Sequence, residues 1–141
     1  GQDIFVTAAQ TTDRDTYEAA RATSCRLAGP EGIDRLLREN EVAFLVAPTT
    51  GPTWPIDLIH GDNYPGGIGA GSLAAIAGYP HLTVPMGAVE SLPVGLSIMG
   101  PKWGDHAVLK AGHAFEKARS ATVPVPSYRA WSPPAAAISS D

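Results

Sequence analysis

From Asp15 to Ala28 the spacing of Ala19, Ala20, Ala22 and Leu27 predicts a helix, with Gly29 placed to end it. Pro30 suits the first turn of a second helix. In that helix Ile33, Leu36 and Leu37 fall on one face at i, i+3 and i+4. Arg35, Arg38 and Glu39 cover the other face, and the stop falls near Asn40. Residues 43–47, AFLVA, are apolar without a break and end at Pro48, which predicts a strand buried on both faces. The next twenty residues, 48–67, hold four prolines and several glycines, the mark of a long loop. Loops of that length inside a compact domain are commonly functional.

A short helix is predicted from about Gly71 to Ala77. Gly78 can take the left-handed cap, and Pro80 stops the helix continuing. Two strands follow, over 82–85 and 94–99, with Gly87 read as a turn and Gly95 as a point of close backbone approach. Asp105 is the expected N-cap of a last helix, to about Arg119. Its buried stripe would be Val108, Ala111, Gly112, Phe115 and Ala118. The order helix, strand, helix, strands, helix points to a layered α/β fold.

Composition narrows the class. The chain of 141 residues is long enough for one compact domain with a core. Charged residues make up 17% and apolar ones 44%, which excludes a disordered acidic or basic chain. A net charge of −4 without a basic patch argues against nucleic acid, and no apolar run reaches the length of a membrane span. Cys25 has no partner for an internal disulfide and reads as an inert free thiol. The chain opens on Gly1 rather than Met, as a fragment or processed product would; the compartment is not legible, with the cytoplasm as the default. Residues 1–119 are expected to form the folded part, and 120–141, rich in Pro, Ala and Ser, a loosely packed tail.

The glycine-rich stretch GGIGAGS at 66–72 raises three chemical readings. A phosphate loop needs lysine where Ser72 stands. A dinucleotide loop matches G-x-G-x-x-A from Gly69 to Ala74, but it should follow a strand directly, and here it follows the loop residues Asp62, Asn63, Tyr64 and Pro65. A nucleophilic Ser72 needs a base within reach, and no histidine or lysine stands in a recognisable pairing with it. A buried helix-capping serine is the simpler reading. His60 and Asp62 could begin a metal site, but no third ligand is suggested, so His60 reads as an exposed loop residue. His81, near a strand start, reads as hydrogen-bonded structure, and His113 as the polar side of a helix.

Longer patterns carry more. AGYPHLTVPMG at 77–87 and LPVGLSIMGPKW at 92–103 resemble the C-terminal region of amidase signature enzymes. LAGPEGID at 27–34, FLVAPT at 44–49 and AFEKA at 114–118 resemble the flanking segments in order, so the similarity runs from about Thr16 to Arg119. It implies the C-terminal portion of an α/β amidase fold, a large mixed β-sheet layered with helices. It also implies hydrolysis of a carboxamide to carboxylate and ammonia by a serine, a second serine on a cis peptide, and a lysine. Those three lie N-terminal to the region matched here, and no residue of this chain corresponds to them. The isolated chain is thus expected to be inactive, with the N-terminal part of the same amidase as its companion. No cofactor or metal is implied. The glycine loop then reads as a wall beside an active site, and Trp54, Ile56, Asp57 and Asn63 become the expected substrate-binding residues. The substrate would be a small-molecule or peptide amide, or a transfer-RNA-linked amide. A non-catalytic folding or binding module is the rival.

Overall fold

Three strands and a set of short helices build the protein in the computed structural model, which describes residues 1–64, 66, 67, 69–123 and 125. Pro65 and Ile68 of the glycine loop, and most of the tail expected at 120–141, lie outside the described residues.

Helix α1 (Asp3–Gln10), which the sequence pattern did not announce, precedes α2 (Arg14–Ala28). The Asp13 carboxylate accepts the Thr16 N–H at 3.1 Å and caps α2. Gly29 does not break the path as expected. A π-helical turn (Gly29–Ile33) carries it directly into α3 (Asp34–Glu39), with the Asp34 N–H bonded to the Gly29 carbonyl. Pro30 explains the widening: it has no N–H to donate, and its ring would press on the carbonyl one turn back. Ile33 and Leu37 are buried as their spacing predicts, and Leu36 is half-buried.

Strand β1 (Leu45–Pro48) pairs with β3 (Leu92–Met99), and β3 pairs with β2 (His81–Val89), all antiparallel, in the order β1-β3-β2. The two later strands form one hairpin. Its turn is at Glu90 and Ser91, both with positive φ, and not at Gly87. Gly87 lies within β2, where the register shifts between Pro85 and Gly87. Neither turn residue is Gly or Asn, so the usual signal of a tight hairpin was absent. Helix α4 (Gly71–Ala77) ends as predicted at Gly78, with φ 69° and ψ 38°.

Alternation along the strands sorts the core into two layers. Leu82 and Val84 on β2 and Leu96 and Ile98 on β3 meet Val108, Ala111 and Phe115 of α5 (Asp105–Ala118), joined by Phe44. Met99, Leu45 and Ala47 point the other way, onto Ile33, Leu37, Ala70 and Ala74. Two details of α5 differ from expectation: Gly104 rather than Asp105 holds the cap position, and Ala118 is exposed. β1 also differs from the strand expected to be buried on both faces. Val46 is 63% exposed, because α5 covers β2 and β3 but stops short of β1.

Candidate functional site

The long loop leaves the sheet at Thr49 and returns at Ala70, and its two ends are tied together. The Ala70 N–H donates to the Thr49 carbonyl at 3.0 Å, and Thr50 bridges to Gly69. Thr49 in turn donates its N–H to the Gly95 carbonyl at 2.8 Å, which anchors the loop base on the central strand.

Beyond that base the loop folds around a cleft of about 470 Å³ lined by Thr53, Trp54, Pro55, Ile56, Asp57, Gly61 and Asp62. Trp54 donates its indole N–H to Asp62 Oδ1 at 2.7 Å and packs against Tyr64, ring centres 4.6 Å apart and tilted by 51°. Asp57 organises the tip. Its Oδ1 accepts the backbone N–H groups of Ile59 and His60, each at 2.9 Å, and its Oδ2 lies 2.9 Å from His60 Nδ1. The Gly61 N–H closes the turn on the Asp57 carbonyl at 3.1 Å. The His60 backbone and ring, and then the Ile59 amide, hold the Asp57 carboxyl below the usual carboxylate range. Ile56 is 89% exposed, and Leu58 and Ile59 are likewise bare.

The four sequence-derived substrate residues therefore separate. Trp54, Ile56 and Asp57 line one cleft, and Asn63 lies outside its lining. The His60 and Asp62 side chains turn to different partners, Asp57 and Trp54, instead of converging. Among the described residues no group of three His, Cys, Asp or Glu is placed to hold a metal ion, and no helix is long and apolar enough to cross a membrane. Ser72 is neither buried nor a cap: it is exposed in the first turn of α4, whose cap position is Ala70. Cys25 is half-buried and directs its thiol at the Ile76 carbonyl, 3.3 Å away. His81 is hydrogen-bonded, its Nε2 2.7 Å from Ser97 Oγ, and His113 is exposed on α5. Sequence reasoning missed the roles of Asp62 and Tyr64. Both meet Trp54, eight and ten positions earlier in the chain, a separation that no local spacing rule picks out.

No family model matches the chain. The chain is similar to solved structures of peptide amidases. It superposes on PAM12A with a TM-score of 0.76 at 46% identity, over 86% of this chain and 24% of that one. The native peptide amidase of Stenotrophomonas maltophilia gives a TM-score of 0.74 at 43% identity, over 86% and 24%. Among curated proteins it is similar to the glutamyl-tRNA(Gln) amidotransferase subunit of Latilactobacillus sakei, 43% identical over 40% of this chain and 12% of that protein. An uncharacterised protein of the nthA 5′ region of Rhodococcus erythropolis is 47% identical over 39% of this chain and 27% of its own length. The chain thus spans between about a tenth and a quarter of the length of these relatives. Sequence and fold agree in this likeness: the chain is similar to the C-terminal part of these amidases, in keeping with its resemblance to the amidase signature enzymes.

Proposed function

We propose that this chain forms one wall of the substrate cleft, and part of the central sheet, of an amidase that converts a carboxamide to carboxylate and ammonia. The nucleophile, base and oxyanion donors would come from the rest of the enzyme, as a serine, a cis-peptide serine and a lysine; acyl transfer by such groups calls on no metal or cofactor. The observation that carries the proposal is the cleft on the 49–70 loop, in a chain whose fold is that of peptide amidases at 43–46% identity. An aromatic wall at Trp54, an apolar surface at Ile56 and polar anchors at Asp57 and Asp62 are what a site for a peptide-like ligand needs. The C-terminal amide of a peptide is the favoured substrate over a transfer-RNA-linked amide. The reading rests on the solved peptide amidases, whose structures the chain matches over 83–86% of its length at 43–46% identity.

The companion N-terminal part of the enzyme would seat against the open side of β1, where Val46 is bare. The test is ammonia release from C-terminally amidated dipeptides, by the enzyme that contains this chain and by the chain alone. Turnover by the former, with KM raised about tenfold or more and kcat kept in Trp54→Ala, is the expected result. Turnover by the isolated chain that disappears in Ser72→Ala would overturn the assignment of the chemistry to the companion. No turnover in either would leave the binding-module rival standing.

A further inference from the structure

Ser97 lies in the middle of the central strand, fully buried, where an apolar side chain would be the ordinary choice. Its hydroxyl is satisfied on both sides. His81 Nε2 lies 2.7 Å from Ser97 Oγ, Ser97 donates to Thr49 Oγ1 at 2.9 Å, and Thr49 donates to Thr83 Oγ1 at 3.3 Å.

The slot for this chain is cut by Gly95, two residues before Ser97 on the same face of β3. A Cβ on Gly95 would stand 2.6 Å from Thr83 Cγ2 and 2.9 Å from Thr49 Oγ1, so any side chain there would drive the two threonines apart. Thr49 is also the hinge of the long loop, holding Ala70 through its carbonyl and β3 through its N–H. From that hinge a short path leads to the cleft. Gly51, two positions on from Thr49, has its N within 3.9 Å of where a Cβ on Gly67 would stand, the Tyr64 hydroxyl lies 2.9 Å from that same point, and the Tyr64 ring packs on Trp54.

We infer that the His81–Ser97–Thr49–Thr83 chain is a positioning device for the cleft: it fixes Thr49, and through the loop base it fixes the angle of Trp54. The side chain of Thr49 does not touch the cleft, so it acts through the loop. Its effect on substrate affinity rests on the reading of the cleft as a substrate wall; its effect on Trp54 rests on geometry alone.

Thr49→Val keeps the shape of the side chain and removes the hydroxyl, and Thr49→Ser restores the hydroxyl. The readout is the Trp54 indole N–H resonance in ¹⁵N-labelled protein, assigned with Trp54→Phe. Thr49→Val should move that resonance toward its position in Asp62→Ala, where the indole has lost its acceptor, and Thr49→Ser should return it. In the amidase containing this chain, Thr49→Val should raise KM for an amidated peptide about fivefold, the scale of one lost hydrogen bond, with kcat held. Ser97→Ala, which cuts the same chain one step earlier, serves as the second variant. A wild-type indole resonance in either variant would overturn the inference, as would equal shifts in Thr49→Val and Thr49→Ser. A shifted indole with an unchanged KM would overturn the substrate-wall reading and leave the positioning role intact.

Discussion

The Tyr79 hydroxyl donates to Asp34 Oδ2 at 2.5 Å, joining the start of the hairpin to the first turn of α3 across 45 positions of sequence. Burial first, then the hydrogen bond to Asp34 and its negative charge, push the Tyr79 phenol up from 10 to about 12. The native state therefore keeps a proton that the unfolded chain gives up. Stability from this group is complete below the unfolded pKa near 10 and is lost as pH rises through the folded value near 12. Tyr79→Phe should cost about 1 kcal/mol or more at neutral pH and flatten the fall in stability above pH 10. Urea titrations of both proteins from pH 8 to pH 11 check this; parallel pH curves would show that Tyr79 titrates alike in the folded and unfolded chains.

Gly78 ends α4 at φ 69°, and both its own N–H and that of Tyr79 return to the Ala74 carbonyl. Nothing stands within 4 Å of where its Cβ would be, so the cost of a side chain is backbone strain alone. Gly78→Ala should lose about 1 kcal/mol, and Gly78→Asn distinctly less, because Asn tolerates the left-handed region. Melting curves that rank Asn at or below Ala would contradict this account of the cap.

What the sequence made legible was local. The α4 cap, the Ile33 and Leu37 stripe and four of the five core positions of α5 follow from spacing and from one glycine. What it hid depends on partners distant in sequence. The hairpin turn uses Glu90 and Ser91, residues without a turn signature. AFLVA is apolar throughout, but whether Val46 is covered depends on the reach of α5, sixty residues later. Gly95 was read as admitting backbone, whereas two threonine side chains meet there. In the candidate site, Trp54 and Asp57 stood out as residue types, but the bonds from Asp62 and His60 that fix them depend on how the loop closes.

Asp57 supplies an acid-sensitive element at the loop tip. Its folded pKa is depressed, so its contribution is present above the unfolded value and is lost as pH falls through the folded one. The Ile59 and His60 amide resonances should move together in acid, with a midpoint below that of aspartate in an unstructured peptide. Asp57→Asn, which keeps an acceptor oxygen but not the charge, should abolish that transition and weaken the turn. A midpoint at or above the peptide value would mean the carboxylate gains nothing from these donors.

The outer edge of β1 has no strand partner among the described residues, and Val46 on it is bare. A free edge bearing an apolar side chain favours pairing or burial against another surface. Ile4 and Phe5 of α1, also exposed, add to the apolar surface of the chain. In the proposed amidase the companion part covers β1, and burying the exposed portion of Val46 would contribute roughly 1–2 kcal/mol. Val46→Lys leaves the pairing of β1 with β3 intact and places a charge on that contact. The chain on its own should therefore fold with the lysine, while its association with the companion part weakens about tenfold. Exchange of the β1 amides that do not bond to β3, fast in the isolated chain, should slow when the companion is added to wild type and stay fast with Val46→Lys. Equal protection in both, or slow exchange in an isolated chain that is monomeric by mass, would mean that β1 is not the seat of the companion.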